Sequence, residues 1–371
     1  MCTAVIFGEK NRYFGRNLDH YTVYDEQVIV TPRNYKISYR NGTDDTSHFA
    51  MIGMGTVVDG YPLYYEATNE HGLSIAGLNF VGNAAYNVSD KGVFIHRAQN
   101  ADAESGKNGL GAPIFETEHL EPCRSPYEIE QFELIPYILG NCRTADEAQE
   151  RLCAINMTCH GFSRELPPPQ LNWMIADGKR CITLEIMRDG MHIYDNAVGV
   201  LTNNPPFDFH VRNLGNYINL TADAPTNRFG SEMPIRRFSH GMGAIGLPGD
   251  ASSASRFVRA AFVRSNANQF DGRGQGAIRW KRHADEYNGV AENMLGVEQF
   301  FHILGSVEQI DGCVRVGELF ERTQYSSCCD TLTCKYYFRT YFDSRIFSVA
   351  LFDADVDGGA LILRRVSDMK H

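Results

Sequence analysis

Cys2 is the residue of this sequence whose position is most unusual for chemistry. Removal of the initiator Met1 is feasible because cysteine has a small side chain, and it would leave a thiol and a free α-amine on one Cα. A free thiol titrates at about 8.5 and an α-amine at about 7.7–8.0, so the amine is substantially neutral near pH 7 and can accept the thiol proton. The pattern predicts an N-terminal nucleophile that carries its own base.

A second interpretation of Cys2 is structural. The following residues, Thr3–Phe7, are rich in strand-forming side chains, and a free cysteine packs well as a small apolar residue. Taken alone, these residues favour a cysteine that simply begins a strand. The rest of the chain has to decide between the two interpretations.

A hairpin is predicted to place charged residues beside Cys2. Apolar, strand-like runs at 3–8 and 12–18 are joined by the polar turn Glu9–Asn11. The return strand would bring Arg16 and Asp19 to the N-terminus, where a catalytic cysteine needs charged neighbours. The alternative is an exposed ion pair on the surface of a hairpin, which contributes little.

Composition excludes several classes of function. The 371 residues include 35 Lys and Arg against 45 Asp and Glu, a net charge of −10, and no basic block occurs, so neither nucleic acid nor an anionic membrane is the expected partner. The ten cysteines lack the paired spacing of a zinc site, and we expect neither a metal nor a cofactor. No secretion signal or long apolar run is present, which predicts a soluble cytoplasmic protein with free thiols.

Predicted elements indicate an α+β fold in one domain. Antiparallel hairpins occur at both ends and in the middle of the chain, with helices between them, and no Gly-rich strand-to-helix fingerprint is found. Helices are expected at about 132–140, after the Thr144 capping box, from Ser252 and at about 297–304. Two stretches, 97–125 and 266–292, have neither helical nor strand periodicity and are predicted to be inserted surface loops.

Several segments match one family in order. They are Cys2–Thr3, Gly15–Asp19, Ala76–Phe80, Phe132–Gly140, Leu201–Pro205, Leu247–Asp250, Ser255–Phe257, Tyr325–Cys329 and Tyr336–Tyr341. The chain resembles the choloylglycine hydrolase family of N-terminal nucleophile hydrolases, which contains bile salt hydrolases and penicillin V acylases. The resemblance implies a single domain over residues 2–371, built as a four-layer αββα sandwich of two antiparallel sheets flanked by helices. It further implies a homotetramer.

The resemblance assigns roles around Cys2 as the nucleophile. Since no propeptide precedes Cys2 here, loss of Met1 alone is expected to expose it. Arg16 corresponds to the family's arginine beside the thiol, where a fixed cation favours the thiolate. Asp19 corresponds to the aspartate that orients the α-amine.

Three downstream residues complete the predicted catalytic set. Asn203 matches the asparagine that donates to the oxyanion, although Asn-Asn-Pro is also a common turn signal. Asn83 is expected to supply a second amide donor, or is simply a turn residue. Arg256 matches the family's late arginine and is expected to support the Cys2 site, unless it is a cation on the helix surface.

The resemblance implies hydrolysis of a conjugated bile salt to a free bile acid and glycine or taurine. The acyl part is expected in an apolar pocket, with Leu18, His20, Phe132 and Ile135 as candidate contacts, although such residues are often core. The alternative activities are those of penicillin V acylase or another N-acyl amidase, such as an acyl-homoserine lactone acylase. Outside this class, a non-catalytic binding protein and a thiol redox protein using Cys328 and Cys329 remain open.

Overall fold

The computed structural model describes residues 1–99, 114–123, 126–230, 232–268 and 292–365. The described strands are β1 Cys2–Phe7, β2 Tyr13–His20, β3 Gln27–Thr31, β4 Ile37–Ser38, β5 Asp44–Asp45, β6 Met51–Val58, β7 Tyr61–Asn69, β8 Ser74–Asn79, β9 Val93–Ala98, β10 Phe115–Leu120, β11 Tyr127–Glu130, β12 Ile155–Thr158, β13 Leu171–Ala176, β14 Cys181–Met187, β15 Gly190–Asp195, β16 Val200–Leu201, β17 Val314–Val316, β18 Leu319–Asp330, β19 Lys335–Thr340, β20 Asp343–Ala350 and β21 Ile362–Arg365. The described helices are α1 Leu134–Asn141, α2 Ala145–Leu152, α3 Phe207–Asn213, α4 Ser253–Asn266 and α5 Glu292–Gly305.

Two large sheets dominate the described part of the chain. The first contains seven strands in the order β16-β1-β2-β18-β19-β20, with β17 paired to β18. The second contains ten strands in the order β10-β9-β15-β14-β13-β8-β7-β6-β3-β21. Pairing within both sheets is antiparallel except between β15 and β9. Among the described helices, none is both long and apolar enough to cross a bilayer.

The two sheets pack face to face between helices. Apolar residues of β3 and β6, such as Val28 and Ile52, pack with Tyr336 and Phe338 of β19 to form the core between the sheets. Helices α1 and α2 bury their apolar residues against the ten-stranded sheet. Helices α4 and α5 do the same against the seven-stranded sheet. The arrangement is the αββα sandwich that the resemblance implies.

The first hairpin forms as the sequence predicts. Strands β1 and β2 pair antiparallel, with Cys2 opposite Leu18 and Ala4 opposite Arg16. Their turn, Glu9–Asn11, is a short 3₁₀ turn. The hairpin therefore returns Arg16 and the end of β2 to the level of Cys2.

The prediction of a loop over 97–125 is wrong for part of its length. Strand β9 continues to Ala98, and β10 pairs antiparallel with it along Phe115–Leu120. Strand β10 is an edge strand whose side chains are mostly exposed, so it lacks the apolar alternation that identifies a half-buried strand. Residues 100–113 and 124–125, and 269–291 of the second predicted insertion, lie outside the described residues.

Candidate active site

Strand ends bring the candidate residues together at one end of the sandwich. Strand β1 lies between β2 and β16, and Ala4 pairs with Leu201. Because the two strands are antiparallel, the position two residues before Ala4 lies opposite the position two residues after Leu201. Asn203 therefore lies opposite Cys2. The Cys2 backbone N–H donates to Asn203 Oδ1 at 2.8 Å. Cys2 is 2% exposed and lines a cavity, so its thiol is sheltered from bulk water but open to a ligand.

Met1 is present in the structure and occupies the N-terminal end of this site. Its α-amine donates to the Asp19 backbone oxygen at 2.6 Å and to Glu321 Oε1 at 2.9 Å. The Cys2 nitrogen is therefore a peptide nitrogen here. Loss of Met1 would convert that nitrogen, already adjacent to Asn203, into a free amine.

Arg256 holds the backbone of Cys2. Helix α4 begins after Ser252, whose hydroxyl accepts from the Ser255 N–H, and this places Arg256 in the first turn. Its Nη1 donates to the Cys2 carbonyl at 2.6 Å and to Thr3 Oγ1 at 2.7 Å. Its Nη2 donates to Asn203 Oδ1 at 2.7 Å. Arg256 is thus buried against the backbone of Cys2 rather than exposed as a cation on the helix surface.

Arg16 occupies the space between the sheets. Its Nη1 donates to the Gly77 carbonyl at 2.5 Å, and its Nε lies 3.9 Å from Glu66 Oε2. Burial acts to lower the pKa of Arg16, but electrostatic interactions, with Cys2 the largest and with the carboxylates of Glu66 and Asp19 among them, outweigh burial and raise the pKa above its ordinary value. Arg16 therefore stays a cation beside Cys2 and can stabilise a thiolate.

Glu66 is a buried carboxyl that lies near Arg16 and is itself hydrogen-bonded. The hydroxyls of Tyr325 and Tyr336 donate to its two oxygens at 2.7 Å and 2.5 Å. Burial raises the pKa of Glu66, while Arg16 and these hydroxyls oppose the rise. A buried charge is tolerated when it is paired and its lone pairs are occupied, and both conditions hold here.

Asp19 is fully buried and held by the seven-stranded sheet. Thr323 Oγ1 donates to its Oδ1 at 2.6 Å, and Gln309 Nε2 donates to its Oδ2 at 3.3 Å. Arg256 Nη1 lies 3.9 Å from Oδ2. Burial raises the pKa of Asp19, and Arg256 acts against that rise. With Met1 present, the α-amine of Met1 donates to the Asp19 backbone oxygen. Orientation of the Cys2 α-amine by the Asp19 carboxylate stays a prediction.

The structure brings Asn79, rather than Asn83, to the cavity. Asn79 ends strand β8, lines the cavity, and accepts at its carbonyl from Asn203 Nδ2 at 2.8 Å. Asn83 lies in the turn that leaves the sheet, where its N–H donates to the Phe80 carbonyl, and it is not among the described residues that line the cavity. The placement expected for Asn83 is therefore not observed.

The cavity that contains Cys2 has a volume of about 360 Å³. All four residues predicted to contact the acyl group line it, namely Leu18, His20, Phe132 and Ile135. Strands β2 and β7 and helix α1 supply one part of the wall, and the segment that includes Phe162 supplies another. An apolar ligand that enters this cavity can therefore reach Cys2.

The structure adds residues that no local sequence pattern predicts. Glu66 lies between Tyr65 and Ala67 in β7. Thr323 and Gln309 are some 300 positions from Asp19 in the sequence. Long-range pairing between β18 and β2 brings Thr323 to Asp19. One signal was available for Asn79, which lies within the family-like segment Ala76–Phe80.

The redox alternative does not fit the structure. Cys328 and Cys329 are successive residues of β18, so their side chains point to opposite faces of the sheet. Cys328 packs in the core under α4 and α5, and Cys329 packs between the sheets. Burial raises the pKa of both thiols. Among the described residues, no group of three or more His, Cys, Asp or Glu side chains is placed to hold a metal ion.

Comparison with known proteins finds one family over nearly the whole chain. Residues 2–99 and 104–364 match the linear amide C–N hydrolases, choloylglycine hydrolase family. A bile salt hydrolase/transferase from Lactiplantibacillus plantarum is 40% identical over 98% of this chain and 96% of its own length. A crystal structure of a conjugated bile acid hydrolase from Clostridium perfringens is 28% identical, with a TM-score of 0.76 over 98% of this chain and 96% of that one. A penicillin V acylase from Agrobacterium tumefaciens, 16% identical, shares the fold with a TM-score of 0.65 over 98% of this chain and 91% of that one.

Proposed function

Because the chain belongs to the choloylglycine hydrolase family, we propose that it hydrolyses the amide bond of glycine- or taurine-conjugated bile salts, with Cys2 as the nucleophile. The products are the free bile acid and the amino acid. The observation that carries the proposal is the position of Cys2 in the wall of a largely apolar cavity, with Arg16 and Asn203 beside it. The names of two relatives, a bile salt hydrolase/transferase and a conjugated bile acid hydrolase, agree with this choice of substrate.

The first step is attack of the Cys2 sulfur on the substrate carbonyl carbon. In the mature protein the α-amine of Cys2 takes the thiol proton, and Arg16 stabilises the thiolate. A carbon–sulfur bond forms, and the carbonyl oxygen becomes an oxyanion. Asn203 Oδ1 lies next to the amine nitrogen, so it can orient the lone pair that receives the proton.

The oxyanion needs donors that are fixed before the reaction. Asn203 uses one Nδ2 hydrogen on the Asn79 carbonyl, and the second hydrogen of that amide is the proposed donor. Asn79 lines the same cavity, and we propose its side-chain amide as the second donor. Asn83 was expected in that role, but its position in the turn does not support it.

Collapse of the tetrahedral intermediate breaks the carbon–nitrogen bond. The protonated α-amine gives its proton to the leaving nitrogen, which departs as glycine or taurine, and a thioester to Cys2 remains. The neutral amine then takes a proton from water, whose oxygen attacks the thioester carbon. Collapse of this second tetrahedral intermediate breaks the carbon–sulfur bond, the protonated α-amine returns its proton to the sulfur, and the bile acid leaves.

Parallel assays separate this activity from the family's other activities. Glycocholate, taurocholate, penicillin V and an acyl-homoserine lactone are each incubated with the wild type, Cys2→Ser and Cys2→Ala. We expect turnover of the two bile salts by the wild type alone. Preferred cleavage of penicillin V or of the lactone would replace bile salts as the substrate, and full activity of Cys2→Ala would refute the nucleophile.

Acyl transfer is a second candidate function, because the relative from Lactiplantibacillus plantarum is named a hydrolase/transferase. The chemistry requires only that an amine replaces water in the attack on the thioester. Glycocholate incubated with an excess of a different amino acid should then yield a new amide, detected by mass spectrometry. Formation of free cholate alone at every amine concentration would contradict transfer.

We also propose that the protein is a homotetramer in the cytoplasm. Large apolar side chains are exposed on one loop-rich segment after α3, including Ile218, Phe229, Phe238 and Ile245. Such side chains are typical of an assembly surface. All ten cysteines are free, which suits a reducing compartment. Light scattering of the wild type and of Phe229→Ser/Phe238→Ser tests the assembly, and cell fractionation tests the location.

A further inference from the structure

Two polar atoms in the wall of the cavity have no hydrogen-bond partner among the described residues. They are the indole Nε1 of Trp173 and the amide Oε1 of Gln131. Trp173 is fully buried and Gln131 is 1% exposed, and both residues line the cavity that contains Cys2. One atom is a donor and the other is an acceptor.

The indole edge of Trp173 packs closely against a glycine on the neighbouring strand. Trp173 lies on β13 directly opposite Gly77 on β8. A Cβ at Gly77 would lie 3.2 Å from Nε1, so any larger residue there would crowd the indole edge. Glycine is therefore the residue that fits beside the indole nitrogen, and Gly77 also lines the cavity.

Gln131 is fixed by its other amide atom. Its Nε2 donates to the His160 carbonyl at 2.8 Å, which holds the side chain in place immediately before helix α1. Its neighbour Phe132 and the ring of Phe162, at a centroid distance of 5.3 Å, line the same part of the cavity. The unpaired acceptor therefore belongs to a part of the wall that includes two aromatic rings.

A buried polar atom without a partner is costly, so natural proteins generally pair such atoms with a protein group, a water or a ligand. An entirely apolar acyl group would displace water and leave both atoms unpaired. A hydroxyl can accept from the indole N–H and donate to the amide oxygen, since it has both functions. The wall thus discriminates by the presence of a hydroxyl as well as by shape.

We propose that Trp173 and Gln131 determine specificity by binding hydroxyl groups of the acyl part of the substrate. The proposal rests on the proposed function, which it deepens by naming residues that contact the hydroxyl groups of the bile acid. Trp173 Nε1–H donates to a substrate hydroxyl oxygen, and Gln131 Oε1 accepts from a substrate hydroxyl. Neither residue takes part in bond breaking.

The test compares two substrates within one enzyme preparation. The glycine amides of cholic acid, which carries three hydroxyls, and of unsubstituted 5β-cholanic acid are assayed for kcat/KM with the wild type, Trp173→Phe and Gln131→Met. Since both substrates meet the same folded fraction of enzyme, the ratio of their kcat/KM values is insensitive to lost stability. Ile135→Val, which removes only a methyl group from the wall, is the matched control.

We expect the wild type to prefer the hydroxylated substrate and each variant to reduce that preference by about tenfold. Ile135→Val should leave the ratio within about twofold. Unchanged ratios in both Trp173→Phe and Gln131→Met would overturn the proposal while leaving bile salt hydrolysis intact. Failure of the wild type to cleave either amide would instead overturn the proposed function, and this inference with it.

A binding measurement covers variants that fold poorly. In a Cys2→Ala background, dissociation constants of the two glycine amides are compared with and without Trp173→Phe by calorimetry. Weaker binding of the cholic acid amide alone supports the proposal. Equal weakening of both amides contradicts it, because loss of packing acts on the whole acyl group.

Discussion

Arg16 and Arg256 are both fully buried beside Cys2, yet they contact different parts of it. Arg256 donates to the Cys2 carbonyl and to the Asn203 amide oxygen. Arg16 donates to strand carbonyls and lies near Glu66. The pKa of Arg16 is raised because the surrounding negative charges outweigh burial, and that of Arg256 is lowered because burial outweighs Asp19.

The difference separates two tasks that a catalytic cysteine requires. In the proposed mechanism the Arg16 region, Arg16 with Glu66, supplies a positive charge near the thiol, and that effect depends on charge more than on the shape of the side chain. In the same mechanism the Arg256 region, Arg256 with Asn203, supplies geometry, because one planar guanidinium donates to four acceptors, three of them at the Cys2 site. Substitutions that preserve charge but change shape should therefore affect the two regions unequally.

The largest effect is expected from removal of the Arg16 charge. Arg16→Met should lower kcat/KM by about a thousandfold, because a unit charge near the thiolate contributes on the order of 4 kcal/mol. Arg16→Lys, which keeps the charge, should retain activity within about tenfold of the wild type. Adding Glu66→Gln to Arg16→Met should recover stability, since no buried carboxylate is left unpaired, without recovering activity. Similar losses in Arg16→Met and Arg16→Lys would contradict an electrostatic role.

Asn203 belongs to the Arg256 region and should be the next most sensitive residue. Asn203→Ala removes a proposed oxyanion donor and the acceptor of the Cys2 nitrogen, and we expect kcat to fall by about 10²–10³. Asn83→Ala is the matched truncation at the position that lies outside the cavity wall, and it should change kcat less than about threefold. Steady-state kinetics with glycocholate give both values. A loss in Asn83→Ala as large as that in Asn203→Ala would restore the role first expected for Asn83.

Arg256→Lys probes geometry with the charge retained. An ammonium group cannot reproduce the planar contacts with Cys2, Thr3 and Asn203, so we expect kcat to fall by about 30-fold with little change in KM. Arg16→Lys is its control. A smaller loss in Arg256→Lys than in Arg16→Lys would invert the assignment of the two regions.

The smallest effect concerns the buried carboxyl of Glu185 and its contribution to the free energy of unfolding. Glu185 accepts from the Phe207 N–H and from Asn172 Nδ2, and burial raises its pKa to about 8 from an ordinary value of 4.5. Between these pH values the folded protein holds a proton that the unfolded chain has lost, so the free energy of unfolding contributed by Glu185 falls as pH rises. The slope is up to about 1.4 kcal/mol per pH unit.

Glu185→Gln removes this titration and should flatten the pH dependence of unfolding measured in urea between pH 5 and 8. Activity of Glu185→Gln at pH 6 should stay near that of the wild type, since Glu185 does not reach the cavity wall. An unchanged slope in the variant would show that Glu185 is ionised in the folded protein at neutral pH.

The two regions also differ in how far the sequence predicts them. Arg16 and Asp19 follow from a local hairpin, and Arg256 and Asn203 follow from family-like segments, so all four fall at Cys2 as expected. Partners such as Glu66 and Thr323 depend on the pairing of distant strands and on the packing of two sheets, which local patterns do not encode. Asn83 and Asn79 differ by four positions, and the end of β8 decides which of them faces the cavity.

The most direct test of Cys2 as an N-terminal nucleophile concerns Met1, whose α-amine is paired with Glu321 in the structure. Protein retaining Met1 is treated with a methionine aminopeptidase while intact mass and glycocholate hydrolysis are followed together. Activity should appear in proportion to the fraction of chains that have lost Met1, because only then does Cys2 carry a free amine. Full activity in chains that retain Met1 would contradict Cys2 as an N-terminal nucleophile.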